Sequence, residues 1–197
     1  ERLIEVFRAH NIGYFFYNGG NDSADTAFKV SQISQKLGFP INCIAIPKTV
    51  DNDLAVTDSC PGFGSAAKYI ATSIMEASLD VASMSETSTK VFILEVMGRN
   101  AGWLAASSAL ARSTNKDAPH IILMPEVTFN KKKFLSRVKK VVSHNGYCVV
   151  VASEGVKNTK GKFLAETNLK DAFGHAQLGG VAPYLSSLIN EELKLKN

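Results

Sequence analysis

The chain has 197 residues, a net charge of +4, 45% hydrophobic residues and 20% charged residues. That length bounds it to one domain or two small ones, and that composition excludes a disordered or fibrous chain. No apolar run approaches the about 20 residues that span a bilayer, and so mild a charge gives no reason to expect nucleic acid or a membrane surface as partner.

Residues Glu1 to Glu5 lack the basic-then-apolar order of a secretory leader, and no initiator Met precedes them. The chain is therefore expected to be an internal piece of a longer protein. Apolar spacing predicts a helix over 3–10, and Gly13 then breaks it before an apolar run at 14–17 that predicts a strand. A helix over 24–37 follows, ended by Gly38 and Pro40, and a second strand at 43–46 ended by Pro47. Further on come a helix over 65–84, a strand over 91–96, a helix over 101–112 and a strand over 121–124 ended by Pro125. Asn130 is placed to cap a helix over 131–142, a fifth strand covers 147–152, and a last helix covers 178–194.

The five strand runs are apolar almost continuously rather than alternately, the pattern of strands covered on both faces. Strands alternating with helices argue a doubly wound α/β fold with a mostly parallel sheet. In such sheets ligands bind at the carboxyl ends of the strands. The strand ends here carry Asn18 to Asp22, Pro47 to Asp53, Met97-Gly98-Arg99, Pro125-Glu126 and Ser153-Glu154-Gly155, so the polar groups gather on one edge.

Three cysteines, Cys43, Cys60 and Cys148, are scattered singly, which argues against a disulfide framework or a zinc site. Cys43 and Cys148 lie in apolar runs and are expected in the core, and the expected location is a reducing cytoplasm. The densest basic run, Lys131 to Lys133 with Arg137, Lys139 and Lys140, interleaves with Phe134, Val138 and Val141 at helical spacing, so it reads as a solvated helix face.

Gly19-Gly20 is a turn that can offer backbone N–H groups to phosphate oxygens, ahead of a helix N-terminus that favours an anion. Asp22 or Ser23 can cap that helix, and Asp22 can instead reach Mg²⁺. Asp51 and Asp53 straddle Asn52, and residues i and i+2 of an extended or turning loop can point the same way. One carboxylate can then take a proton from an attacking hydroxyl while the other holds Mg²⁺. The competing reading is an Asx-turn that only bonds the local backbone. Lys48 is a natural phosphate contact. Arg99 suits a phosphate or carboxylate, and Glu154 can accept bonds from sugar hydroxyls. His10, His120 and His144 read as packed or surface residues, as His175 does when taken alone.

Taken together, GGNDS at 19–23, PKTVDNDL at 47–54, EVMGRNAGWLA at 95–105, PEV at 125–127, SEG at 153–155 and GHAQLGG at 174–180 resemble the phosphofructokinase family. The likeness is strongest to its pyrophosphate-dependent branch. It implies Mg²⁺-dependent phosphoryl transfer to the 1-hydroxyl of fructose 6-phosphate. By that resemblance Asp51 is the general base, flanked by Thr49 and by Asp53 near the metal. Lys48 and the loop Gly19, Gly20, Asn21, Asp22, Ser23 hold the donor, and Asn21, Asp22 and Asp53 are the metal candidates. Met97, Gly98, Arg99, Glu154 and His175 hold the sugar phosphate, and Lys90 reaches the sugar phosphate of a neighbouring subunit in a homo-oligomer.

ATP-dependent relatives commonly carry glycine at the positions of Asp22 and Lys48, so pyrophosphate is the expected donor. Asn21, Leu178 and Lys90 depart from the family pattern, which usually has an aspartate and two arginines there. An ATP-dependent member and a non-catalytic regulatory subunit are the alternatives. The resemblance further implies that residues 1–127 belong to a donor domain and 128–197 to a sugar-phosphate domain. The family's first phosphate loop has no counterpart in this sequence, so the chain alone is expected to be inactive.

Overall fold

Two parallel strands joined through a helix open the chain. The computed structural model describes residues 1–164, 166–170 and 176–197, with the side chains of 166–170 and 176–178 excepted. Packing divides it into one unit of Glu1–Val50 with Leu54–Pro61 and another of Asp51–Asp53 with Gly62–Asn197.

The first unit runs α1 (Arg2–Ala9), β1 (Tyr14–Gly19), α2 (Asn21–Lys36) and β2 (Asn42–Pro47). β1 pairs with β2 in parallel, from Tyr14 against Asn42 to Gly19 against Pro47. A parallel pair needs a crossover, and α2 supplies it. Ile4, Phe7, Val30 and Ile41 form its core, with Phe15 and Cys43 packed on from the strands. The alternate strand residues Tyr14, Phe16, Ile44 and Ile46 are exposed. Within this unit α1 and α2 both pack on the face that holds Phe15 and Cys43. A near-continuous apolar run says that a strand's faces are apolar, not which face a helix covers.

The second unit runs α3 (Phe63–Met84), β3 (Val91–Val96), α4 (Trp103–Ser107), a 3₁₀ turn (Ser108–Ala111), β4 (Ile121–Leu123), α5 (Lys131–Asn145), β5 (Cys148–Ser153), β6 (Glu166–Lys170), β7 (Ala176–Leu178) and α6 (Val181–Leu193). Its parallel sheet has the order β3-β5-β4. β5 is central, and Cys148 to Ala152 have no exposed surface. Cys148, Val150 and Ala152 face a core with Val138 and Val141 of α5 and Leu185 and Ile189 of α6. Val149 and Val151, equally buried, take the opposite face. Cys60 is also buried, although no apolar run marks it, and Cys43 and Cys148 are free thiols.

Local chemistry sets several boundaries. Asn130 caps α5 as expected, its side chain accepting the Lys133 N–H at 3.0 Å. The basic residues of α5 ride on a buried stripe of Phe134, Val138 and Val141. The helix expected over 101–112 tightens into a 3₁₀ turn. There the Ser107 and Ser108 hydroxyls donate to the carbonyls of Leu104 and Ala105 at 2.7 and 2.6 Å. β6 and β7 form an antiparallel pair that the sequence reading did not anticipate, and α6 begins at Val181 rather than 178. Among the described residues no helix is long and apolar enough to cross a membrane.

His120 precedes β4 and is not a bare surface residue. Its Nδ1 accepts the Val149 N–H at 2.9 Å, and its ring meets Tyr147 edge-on at 5.1 Å. Burial, then the nearby Arg112 and Arg137, hold its pKa below the ordinary imidazole value. The folded state therefore favours the neutral ring, and the unfolded chain takes up the proton first. This contribution to stability is complete above the ordinary imidazole pKa of about 6.5 and is lost as pH falls through the folded value. Melting temperature should drop on acidification through that window. His120→Asn keeps an acceptor for Val149 without a titrating ring, so it should flatten the drop, and an unchanged pH profile would exclude His120 as its source.

Candidate active site

In the first unit α2 begins where β1 ends. Gly20 is its N-cap, no side chain caps it, and Asn21, Asp22 and Ser23 form the first turn. The capping role expected for Asp22 or Ser23 therefore does not occur, because the helix starts three residues earlier than its spacing suggested. A Cβ on Gly19 would lie 2.1 Å from the Ser23 Oγ, so glycine is what lets this first turn sit against the end of β1. The N–H groups of a helix's first turn have no partner within the helix, so an end without a side-chain cap suits an anion. The Lys48 N–H donates to the Gly19 carbonyl at 2.8 Å, which extends the parallel pairing past Pro47 and sets Lys48 beside the glycine turn. Gly19, Gly20, Asn21, Asp22, Ser23 and Lys48 thus come together at adjoining strand ends, with Asp22 and Lys48 exposed.

The chain then turns through Thr49 to Asp53. Asn52 is 6% exposed and adopts φ +57°, a left-handed conformation that asparagine tolerates better than most residues. Asp51 is half-buried and Asp53 exposed. Asp51–Asp53 packs with the second unit, while the residues on either side pack with the first.

In the second unit, adjacency of β3 and β5 brings 97–99 and 153–155 side by side. The Glu154 N–H donates to the Val96 carbonyl at 2.9 Å. Gly98 takes φ +124°, and a Cβ there would lie 2.4 Å from the Ala101 carbonyl oxygen, so only glycine fits. The Ser153 hydroxyl donates to the Gly98 carbonyl and accepts the Gly155 N–H at 3.2 Å. Met97 is exposed, and Arg99 and Glu154 are half-buried beside this backbone junction.

Two carboxylates at the same edge hold helix starts. Glu95 Oε2 accepts the Ala182 N–H of α6 at 2.8 Å, and Glu126 Oε1 accepts the Gly102 N–H ahead of α4 at 2.7 Å. Sequence reasoning gave Ser153, Glu95 and Glu126 no individual role. The one available signal was a polar residue at or beside the end of an apolar strand. Lys90 stands at the opposite end of β3 from Met97, with Nζ donating to the Ser85 carbonyl at 2.5 Å. His175 lies outside the described residues, and among the described residues no cluster of three or more His, Cys, Asp or Glu could hold a metal.

The model of the family described as Phosphofructokinase matches residues 1–196. The chain belongs to the phosphofructokinase family. A pyrophosphate–fructose 6-phosphate 1-phosphotransferase of Halomonas elongata is 61% identical over 196 residues, which are 100% of this chain and 47% of that protein. One of the same name from Xanthomonas campestris is 60% identical over 197 residues, again 100% of this chain and 47% of the relative. The crystal structure of a pyrophosphate-dependent phosphofructokinase from Nitrosospira multiformis is 60% identical, with a TM-score of 0.77 over 99% of this chain and 46% of that one. The chain thus spans just under half the length of these phosphofructokinase relatives.

Proposed function

We propose that this chain carries much of the active site of a pyrophosphate-dependent 6-phosphofructokinase. The reaction moves a phosphoryl group from pyrophosphate to the 1-hydroxyl of fructose 6-phosphate, giving fructose 1,6-bisphosphate as in glycolysis. The observation that carries this reading is 60–61% identity, over the whole chain, to proteins of that name.

Asp51 is the general base. It takes the proton of the 1-hydroxyl as that oxygen bonds to phosphorus and the P–O bond to the leaving orthophosphate breaks. Lys48, Gly19, Gly20, Ser23 and the uncapped start of α2 hold the donor phosphates. Asn21, Asp22 and Asp53 offer hard oxygen ligands, and a site of few protein oxygens completed by substrate phosphate and water suits Mg²⁺. Bound there, Mg²⁺ would neutralise charge on the phosphates. Thr49 flanks the base. Met97, Gly98, Arg99, Glu154 and His175 hold the sugar phosphate, and Lys90 serves a neighbouring subunit in a homo-oligomer. Residues 1–127 contribute to the donor domain and 128–197 to the sugar-phosphate domain, a functional division separate from the packing units. The location is cytoplasmic.

The test is an assay of the intact protein with Mg²⁺ and fructose 6-phosphate, supplied with pyrophosphate and then with ATP. Turnover with pyrophosphate alone is expected, and turnover with ATP alone would overturn the donor assignment. The double change Asp22→Gly with Lys48→Gly removes a charge and a side chain that exclude a nucleotide, and also a cation for pyrophosphate. It should shift the ratio of kcat/KM values toward ATP by about a hundredfold or more. An unmoved ratio would place donor choice elsewhere.

A further inference from the structure

The turn after β3 is pinned at both ends by side chains from two other strands' termini. At its start the Gly98 carbonyl accepts the hydroxyl of Ser153, a fully buried residue at the end of β5. At its end the buried Gly102 N–H donates to Glu126 Oε1 at 2.7 Å, three residues beyond β4. Close packing backs each pin. A Cβ on Gly102 would lie 2.6 Å from Glu126 Oε2 and 2.9 Å from the Met124 Cβ. One on Gly155 would lie 2.0 Å from the Arg99 carbonyl oxygen. Arg99 sits between the two fixed points.

We infer that Glu126 is a positioning residue for the sugar substrate. One carboxylate oxygen is committed to the backbone of the turn that presents Arg99, so Glu126 acts through that turn and not on the reacting atoms. Glycines at 98 and 102 let the turn approach its neighbours closely, but they leave its backbone loose unless something outside holds it. The part-buried, charge-assisted bond from the Gly102 N–H to the exposed Glu126 does so, and the ordering is complete before substrate arrives. This role rests on the reading of 97–99 as the sugar-phosphate segment.

The experiment uses the intact protein and the variants Glu126→Ala and Glu126→Gln, with steady-state kinetics and amide hydrogen exchange over 99–104. Glu126→Ala should raise KM for fructose 6-phosphate about fivefold to tenfold, with kcat and KM for pyrophosphate within about twofold. Exchange over 99–104 should quicken while β5 stays protected. Glu126→Gln keeps an acceptor oxygen and should recover most of both effects. An unchanged sugar KM, or equal changes in all three kinetic constants, overturns the proposal, as does a glutamine variant as impaired as alanine. If Glu126→Ala does not fold, Ser153→Ala releases the other end of the turn and must show the same split. If the unaltered protein does not use fructose 6-phosphate, the functional reading fails. Exchange alone then decides whether Glu126 holds the turn: quickening upholds the clamp and no change removes it.

Discussion

Asp51→Asn in the intact protein is expected to lower kcat by about 10²- to 10⁴-fold while KM for fructose 6-phosphate stays within a few fold. Asparagine matches aspartate in size and keeps oxygen and N–H groups for the turn at 49–53, so the backbone conformation fixed by buried Asn52 should survive. It cannot take a proton at neutral pH, and a poorly ionised hydroxyl is a weak nucleophile toward phosphorus. The loss therefore belongs in the chemical step. Equal losses in kcat and kcat/KM would mark an interaction made only in the transition state. A kcat within threefold of the parent would remove Asp51 from the mechanism. It would also bring back the regulatory-subunit reading, to which Asn21 and Leu178 give a motive.

The second large effect is expected at Gly155. A Cβ there would lie 2.0 Å from the Arg99 carbonyl oxygen, 2.5 Å from the Arg99 carbonyl carbon and 2.7 Å from the Gly98 carbonyl oxygen. All three are backbone atoms of the facing turn, so no rotamer change relieves the overlap. Either the carboxyl ends of β3 and β5 part, or residues 98–99 move outward. Gly155→Ala should destabilise the protein by about 2–3 kcal/mol, the range for forcing extra volume into a packed site. It should raise KM for fructose 6-phosphate more than KM for pyrophosphate. Urea denaturation and steady-state kinetics read the two effects. Gly64→Ala is the control, because among the described residues no atom beyond its chain neighbours and its own helix backbone lies within 4 Å of a Cβ at that position in α3. Alanine suits a helix better than glycine, so this change should be neutral or stabilise by up to about 1 kcal/mol. If the two variants melt alike, close approach at 155 is not what glycine provides there.

These expectations rest on different amounts of sequence information. The strand over 91–96 falls where the sequence reading put it, because an unbroken apolar run between polar stretches leaves little choice. The run at 147–152 likewise announced a strand, and β5 follows one residue later. The cap at Asn130 was legible too, since capping depends on three residues and little else. Other boundaries carried no such clear signal. α2 starts at Asn21, three residues before the start its spacing suggested, and its first turn sits close to Gly19, a proximity that helix propensity does not encode. The pairing of β6 with β7 went unseen because Glu166–Lys170 and Ala176–Leu178 lack the continuous apolar character that marked the other strands.

By itself, the sequence determined that the candidate site residues gather at strand ends. Glycine turns, paired carboxylates and a lysine after apolar runs are local patterns, and local patterns survive being read one residue at a time. Only the tertiary structure decided which of those ends meet. It placed β5 between β3 and β4, so Ser153 joins Gly98, Gly155 abuts Arg99 and Glu126 binds Gly102. Strand order is set by how whole faces bury against α5 and α6 on one side and by what remains for the other. That balance belongs to the assembled core and is written in no single segment.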